Sequence, residues 1–186
     1  MTDIILASQS PRRKQLLELA EIEFEIRVAD IDETPPHGMP GEQVPEHLAL
    51  EKAAVIAGNN PDAIIIAADT TVLLDDEILG KPVNEDDAVA ILKKLSGRMH
   101  EVISGVCIRK GNDVYSFSET TEVYFRQLTE DQIKHYVANY HPYDKAGAYA
   151  IQEWIGIVGI EKINGDYYNV MGLPVGQVVA YLKQVK

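Results

Sequence analysis

Apolar residues in this chain come in short blocks, and the spacing inside each block assigns it to a strand or a helix. Ile4-Ile5-Leu6-Ala7 is a continuous apolar run of buried-strand length. Leu16, Leu17 and Ala20 then recur at helical spacing, with Ser10 suited to the N-cap and Pro11 to the first helical position. A short strand is expected over residues 24–28, followed by an acidic, proline-bearing loop over residues 30–41. The next helix runs from about Pro45 to Ala57 and carries Leu48, Ala49, Ala53 and Ile56 on one face. Residues 63–74 form the longest apolar run, and its Ile64-Ile65-Ile66 core suits a central strand. Asp75-Asp76 turns that strand into a hairpin, which returns through Ile78-Leu79 to Gly80-Lys81-Pro82. Asn84 caps a helix with Ala88, Ile91, Leu92 and Leu95 inward, and Gly97 ends it.

Two longer strands follow, over residues 100–109 and 114–125, the second alternating polar and apolar as a half-exposed antiparallel strand does. Thr129 and Gln132 predict a capping box for a helix ending near Tyr140. Asn164-Gly165 predicts a tight hairpin between strands over residues 157–163 and 167–170. Pro174 opens a last helix through Leu182. Strands alternating with helices predict an α/β fold around a mixed sheet. No repeat, low-complexity tract or linker interrupts the chain, so residues 1–186 are read as one domain. Any second lobe has to come from the middle of the sequence.

Composition narrows the function. A 46% apolar content over 186 residues is enough for a sizeable core. The formal net charge of −12 repels nucleic-acid phosphate and anionic membrane, so neither polymer is expected as a partner. A small, highly charged ligand can still bind where cations converge. Cys107 is the one cysteine, which excludes an internal disulfide and a cysteine-based zinc site and agrees with a reducing cytoplasm. It lies in an apolar run and is expected to be an inert core residue. No signal-peptide-like segment or membrane-span-length apolar stretch is present.

The candidate chemistry begins at Ser8-Gln9-Ser10-Pro11-Arg12-Arg13. Cations beside the positive end of a helix dipole are unfavourable unless they share an anion with it. Arg12 and Arg13 are therefore either anion ligands or a solvated basic pair. Asp69 follows Ile64-Ile65-Ile66-Ala67-Ala68, and an ionised carboxylate there needs a cation, a metal or several donors. It reads as a general base or a ligand of a hard divalent ion, against a structural aspartate satisfied by a turn. Glu33 in the acidic loop is a second carboxylate, or a solvated charge. Lys81 sits in a rigid turn, and Lys52 is either functional or a helix-surface charge. The string Asp144-Lys145-Ala146-Gly147-Ala148-Tyr149 allows close backbone approach or tight sheet packing, and Gln152 can both donate to and accept from a base edge. His37, His47, His100, His135 and His141 lack zinc-ligand spacing. Walker, dinucleotide-binding and serine-hydrolase patterns are absent.

In combination these strings resemble the Maf family of nucleoside triphosphate pyrophosphatases. The likeness runs from Leu6 to Pro174 through Ala7-Ser8, Ser10-Pro11-Arg12-Arg13, Glu51-Lys52-Ala53, Ala68-Asp69-Thr70, Lys81-Pro82, the string from Asp144 to Tyr149 with Gln152, and Gly172-Leu173-Pro174. The fold it implies is a mixed twisted sheet flanked by helices, with two lobes around a deep cleft, related to inosine triphosphatase folds. The implied reaction is metal-dependent hydrolysis of a nucleoside triphosphate between the α and β phosphates, with Mg²⁺ or Mn²⁺. By the same likeness Asp69 is the catalytic acidic residue, and Glu33 and Asp69 are the metal carboxylates. Arg12, Thr70 and Gln152 match positions of substrate choice, and Ser8, Arg13, Lys52 and Lys81 match the phosphate-binding residues. The Asp69 and Asp144–Gln152 strings resemble the dTTP and UTP branch, with modified pyrimidine nucleotides as a further substrate class. Ala150 stands where that branch leads one to expect glycine, and Glu153-Trp154 where smaller residues are usual. A homodimer is implied as well, and the cysteine usage leaves the cytoplasm as the expected location. The competing class is a nucleotide-responsive binding protein that acts on septum formation without turnover.

Overall fold

A computed structural model describes residues 3–185 of the chain. Among the described residues, seven strands form one sheet: β1 (Ile4–Leu6), β2 (Glu25–Ile26), β3 (Ile64–Leu74), β4 (Glu77–Leu79), β5 (Met99–Lys110), β6 (Asp113–Phe125) and β7 (Ile160–Asn164). Their order is β2-β1-β3-β5-β6-β7, with β4 paired to β3. The sheet is mixed: β1 runs parallel to β2 and β3, while β4 and β7 lie antiparallel to β3 and β6. The helices are α1 (Pro11–Leu19), α2 (Val44–Ala57), α3 (Glu85–Leu95), α4 (Glu130–Tyr140), α5 (Trp154–Gly159), α6 (Tyr167–Met171) and α7 (Val175–Val185). None is long and apolar enough to cross a membrane, among the described residues.

The chain forms two compact units, and β3, β5 and β6 each give part of their length to both. The first unit runs through Thr70, then takes in Ser104–Glu119 and the chain from Gly172 onward. Side chains alternate along β3. Ile65 and Ala67 therefore share a face, where they cluster with Ile5, Ala7 and Cys107 against Ala49, Ala53, Ile56 and Ala57 of α2. Alanine on both sides lets the helix approach closely. The start of α2 comes closer still at Gly105 of β5, where an added Cβ would lie 2.1 Å from the Glu46 nitrogen. Cys107 is a free thiol in this cluster, and burial pushes its pKa up to about 11, which keeps it inert. The opposite positions Ile64, Ile66 and Ala68 are buried too, so the strand is apolar on both faces, as its unbroken hydrophobic run predicted.

The second unit comprises Thr71–Ile103 and Thr120–Met171, the middle of the sequence. Asn84 caps α3 by accepting from the Asp87 backbone N–H at 2.9 Å, and Thr129 with Gln132 forms the expected capping box on α4. α3 packs on α4 and on the 3-10 turn at Ala146–Ala148. His100, Phe125 and Tyr149 form an edge-to-face aromatic cluster in which His100 Nε2 lies 2.7 Å from the Tyr149 hydroxyl.

One expected element is overturned. Residues 157–163 and 167–170 do not make a hairpin: α5 and β7 occupy the first stretch, and α6 occupies the second. β7 pairs instead with β6, and the Asp166 carbonyl and amide both bond the Thr121 hydroxyl at 3.0 Å. That long-range partner outweighs the local Asn-Gly preference, and Gly165, at φ 132°, provides the turn out of β7. β2 is also shorter than the strand expected over residues 24–28.

Candidate functional site

Asp69 follows five consecutive buried residues of β3, and its side chain is 17% exposed. Its position in the alternation is that of Ile65 and Ala67, so it faces the helix they pack against. Lys52 of α2 meets it there, donating from Nζ to Asp69 Oδ1 at 2.7 Å. Leu48, Lys52 and Ile56 recur every fourth residue along the buried stripe of α2, which makes Lys52 a core-facing lysine rather than a surface charge. The same ammonium lies 2.7 Å from Glu33 Oε1, on a side chain that is 53% exposed. The acidic loop thus contributes a specific carboxylate. A buried lysine between two carboxylates offsets the desolvation of both its own charge and that of Asp69.

The sequence before α1 folds as expected. Pro11 is the first residue of the helix, and Ser10 caps it through the Arg13 backbone N–H at 3.5 Å. Arg13 then turns its guanidinium inward. Nε donates to the Gly172 carbonyl at 2.8 Å, Nη1 to Ser8 Oγ at 3.1 Å, and Nη2 to Thr70 Oγ1 at 3.0 Å. Burial lowers the pKa of Arg13, Asp69 and Glu33 push it back up, and neighbouring Arg12 lowers it further. Ser8 also accepts the Ser10 backbone N–H at 3.2 Å. The Thr70 hydroxyl lies 2.8 Å from Ser104 Oγ and 3.3 Å from the Gly172 carbonyl. The first unit therefore gathers Ser8, Arg13 and Thr70 in one network and Glu33, Lys52 and Asp69 in another, with Arg12 close enough to perturb Arg13 electrostatically.

Lys81 and Gln152 are exposed residues of the second unit. The strings around them meet locally, because Gly147 N–H donates to the carbonyl of Gly80 at 3.1 Å. Gly147 adopts φ 69°, and an added Cβ would stand 3.0 Å from the Val72 side chain, so tight packing explains this glycine. Lys145 is buried and pairs with Asp144 at 2.8 Å and with Glu153 at 3.6 Å.

Sequence reasoning missed two members of the Thr70 network. Ser104 left one trace, a hydroxyl inside the apolar run of β5. The Gly172 carbonyl left none beyond the glycine itself, whose φ of 117° turns the chain toward α7.

A divalent ion at this site would depend on the carboxylates of Glu33 and Asp69. The oxygens of Glu33 and Asp69 are each 2.7 Å from one nitrogen, so they lie no further apart than twice that length. Among the described residues no group of three or more His, Cys, Asp or Glu is arranged as a metal cage. Glu33 and Asp69 are the residues that would hold an ion such as Mg²⁺, which takes its remaining ligands from water and substrate phosphates; here both carboxylates bond the Lys52 ammonium.

The chain is 49% identical over 184 residues to the dTTP/UTP pyrophosphatase of Cytophaga hutchinsonii, covering 99% of this chain and 84% of that protein. Proteins of the same name from Phocaeicola vulgatus and Bacillus cereus are also 49% identical over 184 residues, covering 98% and 99% of this chain and 95% and 96% of theirs. Among solved structures, a HAM1 protein from Coxiella burnetii aligns with a TM-score of 0.57 at 16% identity, covering 99% of this chain and 100% of its own. The Ham1 protein of Staphylococcus aureus aligns with a TM-score of 0.58 at 15% identity over the whole of both chains. At that identity the likeness concerns the fold, which is the one expected from the sequence. The model of the family described as Maf-like protein matches residues 3–185, and the chain belongs to that family.

Proposed function

We propose that this protein is a nucleoside triphosphate pyrophosphatase that hydrolyses dTTP and UTP between the α and β phosphates, releasing the monophosphate and pyrophosphate. The observation that carries the chemistry is the convergence of Asp69 and Glu33 on the buried ammonium of Lys52, within electrostatic reach of the Arg13 guanidinium. Near-full-length likeness to proteins named for dTTP and UTP supplies the substrate.

Asp69 has the attributes of the reactive carboxylate. It is held in a strand, largely shielded from water, and paired with the Lys52 ammonium at 2.7 Å. In the reaction it orients or deprotonates the attacking water, or holds the metal with Glu33. A divalent cation, when bound, supplies positive charge to offset the phosphate oxygens as charge develops. Arg12 and Lys81 supply cationic side chains for the polyphosphate, and Gln152 an amide for the base, on the strength of the strings in which they stand. Ser8, bonded to Arg13, and Lys52, bonded to Asp69, are each already oriented by a protein partner. We place the protein in the cytoplasm, where its substrates are made, and the same family pattern favours a homodimer.

Product analysis decides the bond cleaved. Incubation with dTTP or UTP and Mg²⁺ is expected to yield the monophosphate and pyrophosphate in equal amounts. Orthophosphate and the diphosphate as first products would rule out this chemistry.

A further inference from the structure

We propose that Arg13 is a positioning residue, which acts through Thr70 to hold the Asp69 carboxylate in place, rather than a ligand of the substrate phosphates. The inference rests on Asp69 being the reactive carboxylate of the pyrophosphatase reaction.

A guanidinium has five N–H donors in a fixed fork, and three of Arg13's are committed inside the protein, to Gly172, Ser8 and Thr70. The three acceptors belong to separate stretches of chain, 159, 5 and 57 residues away. A rigid fork satisfied by three such acceptors has little freedom to swing toward a ligand. It fixes the chain entering α1, the strand β3 and the turn into α7 relative to one another.

Arg13 adds a side-chain anchor to β3 where Asp69 lies. β5 is hydrogen-bonded to β3, but β1 pairs with it only as far as Ile66 and β4 only from Val72 onward, so neither β1 nor β4 reaches Asp69 or Thr70. Asp69 and Thr70 are consecutive strand residues and point to opposite faces. On one face Lys52 holds Asp69. On the other, Arg13, Ser104 and the Gly172 carbonyl surround the Thr70 hydroxyl at 3.0, 2.8 and 3.3 Å. Anchoring Thr70 sets the rotation of the strand about its axis, and that rotation sets where the neighbouring carboxylate points. Gly172 permits the arrangement because its positive φ, which other residues rarely adopt, belongs to the turn whose carbonyl receives Nε.

The test compares Arg13→Gln, Thr70→Val and the double variant for kcat and KM on dTTP, with thermal unfolding of each. A positioning role predicts that Arg13→Gln lowers kcat about a hundredfold, the scale of loss for roughly 1 Å of misplacement, with KM changed less than about threefold. Thr70→Val is expected to lower kcat about tenfold, and the double variant to be no worse than Arg13→Gln alone. Thr70→Ser, which restores the hydroxyl, should recover most of what valine loses. A KM increase of about tenfold or more with kcat preserved, or losses that multiply in the double variant, would make Arg13 a direct phosphate ligand. If Arg13→Gln fails to fold, Thr70→Val decides: unchanged kcat overturns the proposal. Absence of dTTP turnover in the wild type would count against the proposed reaction itself, an outcome the Arg13 comparison cannot mimic.

Discussion

Single side chains in this protein are explained by what surrounds their polar atoms. His100 is the clearest case outside the site. Its ring is buried between Phe125 and Tyr149, Nε2 faces the tyrosine hydroxyl, and Nδ1 is buried without a hydrogen-bond partner among the described residues. Burial disfavours the imidazolium and pushes the pKa from 6.5 down to about 3. Between those values the unfolded chain binds a proton that the folded chain does not. Stability therefore rises with pH across that window and is lost as pH falls from about 6.5 toward 3, by at most about 1.4 kcal/mol per pH unit. Denaturant unfolding at pH 7, 6, 5 and 4 should show this loss, and His100→Gln should reduce it. An equal slope in the variant would mean that other groups carry the acid sensitivity. The sequence disclosed little of this: five histidines without metal spacing said what His100 is not, and nothing in its neighbours announced an aromatic cage.

Elements follow the sequence closely where the determinant is local. Ser10-Pro11 starts α1, Asn84 starts α3, and Thr129 with Gln132 starts α4, because each cap is satisfied within a few residues. The Asn164-Gly165 hairpin failed for the opposite reason. Its stretch is held by Thr121, more than forty residues away, and a turn preference of local origin cannot register that bond. Lys52 shows a third situation. The sequence left it open as a functional residue or a helix-surface charge; its four-residue spacing from Leu48 and Ile56 pointed inward, but no period can show that Asp69 waits there. Closest contact between elements is also invisible in sequence. Gly105 lets β5 touch the first turn of α2, and Gly105→Ala would put a methyl group 2.1 Å from the Glu46 nitrogen and 2.2 Å from the Pro45 carbonyl carbon. Backbone rather than a flexible side chain has to yield, so a loss of about 2–3 kcal/mol is expected in urea unfolding, at the upper end for overpacking. A loss below about 0.5 kcal/mol would show that α2 shifts freely on the sheet.

For the whole molecule, the sequence order of the polar strings mattered more than any one of them. Arg12, Glu33, Lys52 and Asp69 are scattered over the first 70 residues of an acidic chain with net charge −12, and each alone had an ordinary explanation. Arg12 acts electrostatically on Arg13, and the packing of α2 on one face of β3 brings Glu33, Lys52 and Asp69 into one constellation. Asp69 is its centre, so the most direct measurement is pyrophosphate release from dTTP and Mg²⁺ by the wild type and by Asp69→Asn, with thermal unfolding to show that both are folded. A variant that keeps the side chain's shape and loses its charge should release pyrophosphate about 10²–10⁴-fold more slowly while still binding nucleotide. A folded Asp69→Asn protein that releases pyrophosphate at the wild-type rate would contradict a reaction centred on this carboxylate.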